Sequence, residues 1–299
     1  MADSPPKSAS KTVPAASKRP KPPGRTPDIA TLGGIGVALA GILGGLLLEK
    51  GSIQDVAQAT AAMIVMGGTL GAVLVTTPLP VFVRACKGLG SAFLVEASST
   101  AATIDSLIRY ATLARKNGIV SLETEAGAIA DPFMRKALNL AVDGTDLQEL
   151  RKMMELDISL GELAGEAESK VWEAAGGYAP TIGIIGAVMG LIQVMKNLED
   201  IKAVGHGIAV AFVATVYGVA SANIFFLPVA NKLKGRTRAA ALLKDLILEG
   251  LVGIVEGQNP TLIRTKLEAY NQDSPKPAKA KAAKAAARPG AGQPAPGES

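Results

Sequence analysis

Four long apolar runs, arranged in two pairs around a polar block, dominate the hydropathy pattern of this chain. The first pair covers residues 29–48 and 56–83, and the second pair covers residues 178–195 and 204–229. A helix of about 20 apolar residues spans the hydrocarbon core of a bilayer, so each run predicts a transmembrane helix. The fold class is therefore an all-α integral membrane protein. It has four transmembrane helices, with a helical cytoplasmic domain of residues 84–177 between spans two and three.

Composition separates the remaining segments. The N-terminal stretch is rich in Pro, Ser and Lys and lacks the apolar region of a signal peptide, which predicts a disordered tail. The C-terminal stretch is Ala/Lys/Pro-rich and predicts a second disordered tail. The predicted boundaries are a tail at 1–28, spans one and two at 29–83, the cytoplasmic domain at 84–177, spans three and four at 178–230, a C-terminal helical segment at 231–272 and a tail at 273–299.

The distribution of basic residues predicts the orientation. Lys and Arg flank the start of the first span and follow the second and fourth spans, whereas the two short turns within the pairs carry little basic excess. Basic loops stay on the cytoplasmic side of a membrane. We therefore expect a multi-pass membrane protein in which both termini and the central block face the cytoplasm.

The central block has helical periodicity. Apolar residues at helical spacing predict a helix over residues 94–113. Asp131 and Pro132 suit the N-cap and first position of a second helix. Thr145 and Gln148 match a capping box that opens a long third helix.

The predicted third helix runs from Asp146 toward Trp172. Four glutamates recur on it at spacings of four and seven and form an acidic stripe, which we interpret first as a solvated helix face. The stripe consists of Glu155, Glu162, Glu166 and Glu173.

Charge is absent from the spans, since none of the four apolar runs contains Asp, Glu, Lys or Arg. Intramembrane carboxylates are the usual handle for protons and cations at bilayer depth. If this chain conducts ions, a partner must supply the acid. Cys86 and His206 are the single cysteine and histidine, so we expect no metal site, and we expect no cofactor and no nucleic-acid partner.

Small residues line one side of spans three and four, including Gly183 in the third span and Gly218 in the fourth. Such faces allow close packing of membrane helices. Thr215 is the hydroxyl on the small-residue face of span four, and two roles stay open for it: a bond to a backbone carbonyl one turn back, or a place in an ion path. Pro228 predicts a bend, which can be purely structural.

Several separate motifs resemble the MotA/PomA family of flagellar stator subunits. PTIGIIGAVMG at residues 180–190 and GIAVAFVATVYG at residues 207–218 resemble the last two spans of that family. ARKNGIVSLE at residues 114–123 resembles its cytoplasmic signature, and the Asn259-Pro260 pair resembles its C-terminal element. The match covers residues 27–270, in the family's order.

The resemblance implies an assembly and a mechanism. Five such subunits surround the membrane helices of a dimer of single-span MotB-type partners, whose aspartate binds the permeating ion. Ion passage rotates the homopentamer, and its cytoplasmic domain acts on the rotor protein FliG. By motif position, Arg115 and Glu123 match the family's charged rotor-contact residues, and Lys116 is their neighbour. Thr124 stands where some sodium-driven relatives carry another acid, so the pattern departs there.

The resemblance also assigns residues to the ion path and to coupling. Pro180 and Pro228 match two family prolines linked to coupling, and Thr215 matches a threonine of the ion path, in which Thr181 and Ala187 are placed with it. Sodium-type relatives carry a threonine at the position of Ala187. A sodium ion needs oxygen ligands, whereas a proton needs only a carboxylate and water. Proton coupling is therefore predicted, with sodium as the alternative.

Three other interpretations stay open. TolQ and ExbB-type energisers use a related assembly, but they carry three spans, whereas this chain has four apolar runs. A small-solute transporter would need a polar midplane site and often an internal repeat, and neither is evident. A structural scaffold would not explain the pattern of Pro, Thr and Gly in the last two spans.

Overall fold

Helices make up nearly all of the part of the chain that the structure describes. The computed structural model describes residues 25–96 and 100–270, which leaves most of both predicted tails outside the described residues. The α-helices are α1 (Ile29–Leu48), α2 (Ile53–Val56), α3 (Ala59–Ala62), α4 (Gly68–Thr76), α5 (Leu79–Ala92), α6 (Thr100–Asn117), α7 (Glu123–Ala126), α8 (Pro132–Val142), α9 (Leu147–Lys196), α10 (Ile201–Ala220), α11 (Leu227–Val255) and α12 (Pro260–Glu268).

Short irregular elements connect these helices. A π-helical turn, Met63–Gly67, joins α3 to α4, and a second, Ser221–Phe226, joins α10 to α11. A 3₁₀ turn, Ile119–Leu122, precedes α7. A two-stranded antiparallel ribbon pairs β1 (Arg25–Pro27) with β2 (Leu94–Glu96). The all-α fold class is confirmed, with this ribbon as its small addition.

Within the described residues, four helical segments are long and apolar enough to cross a membrane, which confirms the predicted span count. They are Ile29–Leu48, Ile53–Thr76, Leu147–Lys196 and Ile201–Val255. The second apolar run, however, is not one helix through residue 83. Its helix ends at Thr76, and α5 begins at Leu79 behind Pro78. Proline lacks an amide hydrogen and disfavours helix in the preceding residue, so Pro78 ends the span.

The third span and the long cytoplasmic helix are a single helix, α9. It runs without a break for 50 residues and contains Pro180. At 1.5 Å per residue it is about 75 Å long, more than twice the thickness of a bilayer core. Its C-terminal part therefore serves as a span while its N-terminal part extends into the cytoplasmic domain.

The start of α9 differs from the predicted capping box. Asp146 is the N-cap, and its carboxylate accepts the amide of Gln148 at 2.9 Å and that of Glu149 at 3.3 Å. Thr145 instead donates its amide to the Leu140 carbonyl at 3.1 Å and closes the preceding turn. A carboxylate at the N-cap also complements the helix dipole, which favours Asp146.

The start of the cytoplasmic domain was also predicted wrongly in part. Leu94–Glu96 form strand β2, and the helix expected from residue 94 begins at Thr100. The strand forms because it pairs with β1, so residues 25–28, which the sequence assigned to a disordered tail, are ordered. In contrast, Asp131 caps α8 by accepting the Met134 amide at 2.7 Å with Pro132 in the first turn, as predicted.

One apolar core holds the cytoplasmic domain together. It is built from α6, α8, α12, the first half of α9 and the second half of α11. Burial of large aliphatic side chains is the main favourable term in such a core. Its fully buried side chains include Leu107, Leu138, Leu150, Met154, Leu246, Leu251, Ile263 and Leu267.

Candidate functional site

The backbones of α9 and α10 touch in the membrane-spanning part. A Cβ atom placed at Gly183 would lie 2.9 Å from the Ala214 carbonyl oxygen and 3.5 Å from the Thr215 Cα. A Cβ atom at Gly218 would lie 3.2 Å from the Pro180 Cα. Only glycine permits this approach, so the predicted packing of small-residue faces is confirmed. The same contact places Pro180 and Thr215 about one helical turn apart.

The contact continues toward the other end of the spans. A Cβ atom at Gly190 would lie 2.7 Å from the Gly207 carbonyl oxygen and 2.8 Å from the Ala211 amide nitrogen. Ala187 is half-buried on α9 between Gly183 and Gly190. Methyl-sized and smaller groups therefore separate the two helices over this entire stretch.

Thr215 makes the backbone bond that was one of its two predicted roles, and its place in an ion path stays a prediction. Its hydroxyl donates to the Ala211 carbonyl oxygen at 3.2 Å, which is the predicted backbone bond. A hydroxyl oxygen that donates still has lone pairs to offer a ligand. Thr215 also lines a cleft of about 360 Å³ beside Ile42 of α1 and Asn223. Thr181 is exposed, and its hydroxyl donates to the Tyr178 carbonyl at 2.8 Å.

The two predicted coupling prolines lie at the same end of the paired helices. Pro180 interrupts the hydrogen bonds of α9, and Pro228 stands in the first turn of α11 directly after the Ser221–Phe226 turn. A Cβ atom at Gly176, one turn before Pro180, would lie 2.5 Å from the Leu227 side chain, next to Pro228. Each proline frees a carbonyl four residues earlier, so both helices have weakened backbones at this level.

An aromatic cluster that the sequence analysis did not single out packs at this level. The Trp172 ring stands edge-on to Phe225 at 6.0 Å and is stacked with Phe226 at 6.2 Å between centroids. The Trp172 indole N–H donates to the Ala85 carbonyl of α5 at 3.3 Å. Aromatic residues make up only 4% of the chain, and this rarity was the sequence signal that could have drawn attention to them. The cluster fixes the Ser221–Phe226 turn against α9.

The predicted rotor-contact residues lie together around one turn. Arg115 and Lys116 end α6, and Glu123 begins α7, with all three side chains exposed. Gly118 between them has a φ of 81°, a conformation that glycine adopts without strain. Within residues 25–96 and 100–270 these three side chains form no ion pair. The buried Leu122 anchors the turn while the charges stay available to a partner.

A neighbouring ion pair links the two helices on either side of this turn. The Arg109 guanidinium lies 3.4 Å from the Glu125 carboxylate and 5.1 Å from the Tyr110 ring centroid. Arg109 is on α6 and Glu125 is on α7, so the pair joins the two helices that carry the rotor-contact charges. Exposed pairs are weak individually, and this one acts mainly to fix orientation.

Two glutamates of the acidic stripe on α9, Glu155 and Glu162, interact electrostatically with a carboxylate of the adjacent helix α11. Burial and the carboxylates of Glu162 and Glu155 together raise the pKa of Asp245 on the adjacent α11. Among the described residues, no group of three or more His, Cys, Asp or Glu converges as a metal site would require.

Family comparison matches both halves of the chain. The description "Motility protein A N-terminal" covers residues 32–118, and "MotA/TolQ/ExbB proton channel family" covers residues 125–246. The chain therefore belongs to the MotA/TolQ/ExbB proton channel family, within its MotA branch of flagellar motor stator subunits.

Individual relatives agree with this placement. Motility protein A of Helicobacter pylori (strain ATCC 700392 / 26695) is 35% identical over 243 residues, covering 81% of this chain and 95% of the relative. Chemotaxis protein PomA of Vibrio alginolyticus has the same identity and coverage, 35%, 81% and 95%. The solved structure of C. jejuni MotAB has a TM-score of 0.79 at 31% identity, covering 83% of this chain and 98% of that one. The flagellar MotAB stator complex from Bacillus subtilis has a TM-score of 0.76 at 30% identity, covering 84% and 98%.

Proposed function

We propose that this stator subunit couples proton flow to flagellar rotation together with a dimer of MotB-type single-span partners. One observation carries the proposal: the tight contact of α9 and α10 gathers Pro180 and Thr215 in apolar spans that hold no carboxylate of their own. A proton at bilayer depth needs an ionisable group. The partner's aspartate supplies it, and Thr215, Thr181 and Ala187 line the path beside it.

Proton coupling is favoured by the chemistry of the path. Sodium must exchange its water for oxygen ligands, and Ala187 on α9 offers none. The Thr215 hydroxyl, already donating to the Ala211 carbonyl, is the side-chain oxygen at the glycine contact. Sodium coupling is the competing candidate because that oxygen retains lone pairs.

An exposed apolar stripe outside the membrane part supports assembly of several copies. Four large side chains on the cytoplasmic half of α9 are between 38% and 63% exposed and recur at spacings of three and four. This α9 stripe consists of Met153, Leu156, Leu160 and Leu163. Gly161 and Gly165 of α9 contact α11, and helix geometry puts the α9 stripe on the opposite side. Contiguous exposed apolar residues mark interaction surfaces.

A second exposed face lies on the far side of α11. This α11 face consists of Gly235, Ala239 and Leu242. A Cβ atom at Gly165 would touch the Thr237 side chain, which puts the end of the α9 stripe at the same height as the α11 face. Unlike faces on opposite sides of a subunit join head to tail, and such contacts form a ring where the rotation between neighbouring subunits closes. A homopentamer is the ring that the family resemblance implies.

The cytoplasmic domain delivers the motion to the rotor protein FliG. Arg115, Lys116 and Glu123 are exposed and held on a braced turn, as a recurrent electrostatic contact requires. Charges at an interface set encounter and register more than affinity. The basic residues Lys232 and Arg236, which follow the fourth span, support a position of this domain and of both termini on the cytoplasmic side of the inner membrane.

A gene deletion tests the motor assignment. Cells without the chain are expected to assemble flagella that do not rotate, provided that no second stator pair is present. Complementation with the intact gene should restore swimming. Loss of the filaments themselves would contradict the proposal and would favour an envelope energiser of the TolQ/ExbB kind.

Ion replacement tests the coupling ion. Swimming speed is measured in sodium-free medium at constant membrane potential, with potassium replacing sodium as the control. A proton-coupled motor keeps turning under these conditions. A stop on sodium removal would overturn proton coupling and leave the stator assignment intact.

A further inference from the structure

A buried carboxylate stands at the start of the first span. Asp28 is 8% exposed, and with Thr69 and Ser169 it makes up the buried polar or charged side chains of the described residues. Its carboxylate accepts the Thr31 amide at 3.2 Å and so caps α1. Its own amide donates to the Phe93 carbonyl oxygen at 2.8 Å. The start of α1 is thus fixed to the segment that leads into the cytoplasmic domain.

The same carboxylate pairs with two cations of α11. The Lys232 ammonium donates to Asp28 and also to the Thr31 hydroxyl, and the Arg236 guanidinium lies 4.0 Å from the Asp28 carboxylate. The hydrogen bond from Lys232, and next the one from the Thr31 amide, lower the pKa of Asp28. Asp28 is therefore ionised, and we name Asp28, Lys232 and Arg236 the α1–α11 latch.

The latch lies next to the part of the fourth span in which the helical hydrogen bonding is irregular. Lys232 is one helical turn beyond Pro228, and Pro228 is the second residue after the Ser221–Phe226 turn. π-helical turns and prolines both interrupt regular helical hydrogen bonding and permit bends. Contacts made beyond Pro228 therefore set the direction in which α11 leaves the membrane, and the latch contains the ion pairs of α11 that lie nearest to Pro228.

Apolar packing does not hold this end of α1. Within the described chain α1 has no buried residue. A groove of about 320 Å³ separates its first turns from α11 and is lined by Ala30, Gly34 and Pro228. Removing one member of a partly buried ion pair leaves the other charge uncompensated, which is costly. The latch therefore constrains α1 and α11 where their side chains leave a gap.

We propose that Asp28 is a positioning residue of the motor, which acts through Lys232 and Arg236 to hold α11 beyond Pro228 in its torque-transmitting direction. This inference rests on the proposed function, because it concerns how motion of the spans reaches the cytoplasmic domain. It predicts that the latch affects torque from each assembled stator rather than the number of stators that assemble.

The experiment compares Asp28→Asn with wild type in a stator-deleted strain. Asparagine caps a helix as well as aspartate does, so this variant removes the charge and keeps the cap. Rotation of a tethered bead rises in steps as stators join the motor. We expect the same number of steps with a loss of step height. Asp105→Asn is the matched control, since Asp105 pairs with Arg264 at 2.7 Å in an exposed position, and full step height is expected.

Variants on α11 complete the test. Lys232→Arg keeps the positive charge and is expected to retain step height, whereas Lys232→Gln should lose it. Arg236→Gln removes only the more distant cation, so a smaller loss of step height is expected. It serves as the milder variant if Asp28→Asn fails to assemble. Full step height in Asp28→Asn or Lys232→Gln, or an equal loss in Asp105→Asn, would overturn the latch. Absence of steps with the wild-type chain would instead contradict the proposed motor function.

Discussion

Substitution of Gly183 by alanine tests whether the glycine contact between α9 and α10 controls function. The added methyl group would lie 2.9 Å from the Ala214 carbonyl oxygen and 3.2 Å from the Gly218 Cα, both backbone atoms of α10. Neither atom can move as a side chain does, so the helices must separate by a few tenths of an ångström. Overpacking of this kind costs about 1–3 kcal/mol. Alanine's better helix propensity offsets up to about 1 kcal/mol of it.

Gly177→Ala is the matched control on the same helix. Gly177 is exposed, and a Cβ atom there would have nothing within 4 Å. This variant should gain helix propensity, about 0.5–1 kcal/mol, without a clash. The two substitutions add the same methyl group to α9, yet their effects on stability should have opposite signs.

The assay measures the thermal midpoint of the purified stator complex and the swimming speed of complemented cells. Gly183→Ala should lower both, and the loss of speed should be the larger effect because Pro180 and Thr215 lie on either side of this contact. Gly177→Ala should hold or raise the midpoint and keep the speed. If both variants raised the midpoint, or if Gly183→Ala swam at wild-type speed, the reasoning about close backbone contact would be refuted.

Four further predictions concern the cytoplasmic domain. Reversing both rotor-contact charges, Arg115→Glu with Glu123→Lys, should impair torque more than ion conduction, and intact motility would contradict the assignment. Asp157→Asn should lower the thermal midpoint at neutral pH, because its lysine pairs lower the pKa of Asp157, and the difference should vanish as pH falls through that lowered pKa. Asp245→Asn should instead raise the thermal midpoint at neutral pH. Burial and nearby carboxylates raise the pKa of Asp245, so its ionisation destabilises the fold as pH rises through the raised pKa, and the stabilising effect of the substitution should be absent below the ordinary pKa of 3.8. Leu251→Ala, at a fully buried site, should cost about 2–5 kcal/mol in urea unfolding of the complex, and a smaller loss would place Leu251 outside the core.

Local chemistry was sufficient for the features that depend on neighbouring residues. Hydropathy over about 20 residues determined the four spans and their lack of carboxylates, because the bilayer imposes one length and one polarity on every crossing helix. The Asp131-Pro132 pair determined the start of α8, because an N-cap is a contact between residues three positions apart. The family motifs likewise identified the stator subunit from contiguous stretches of sequence.

Tertiary structure decided the features that depend on distant partners. Pro180 alone predicts an interruption, yet α9 continues through it because α10 and α11 pack along its length. Residues 25–28 look like part of a polar tail until β2 pairs with them. Asp28 and Lys232 are 204 positions apart, so no local pattern could join them. The contribution of an ion pair depends on its burial and on the geometry of its partner, and both exist only once the chain has folded.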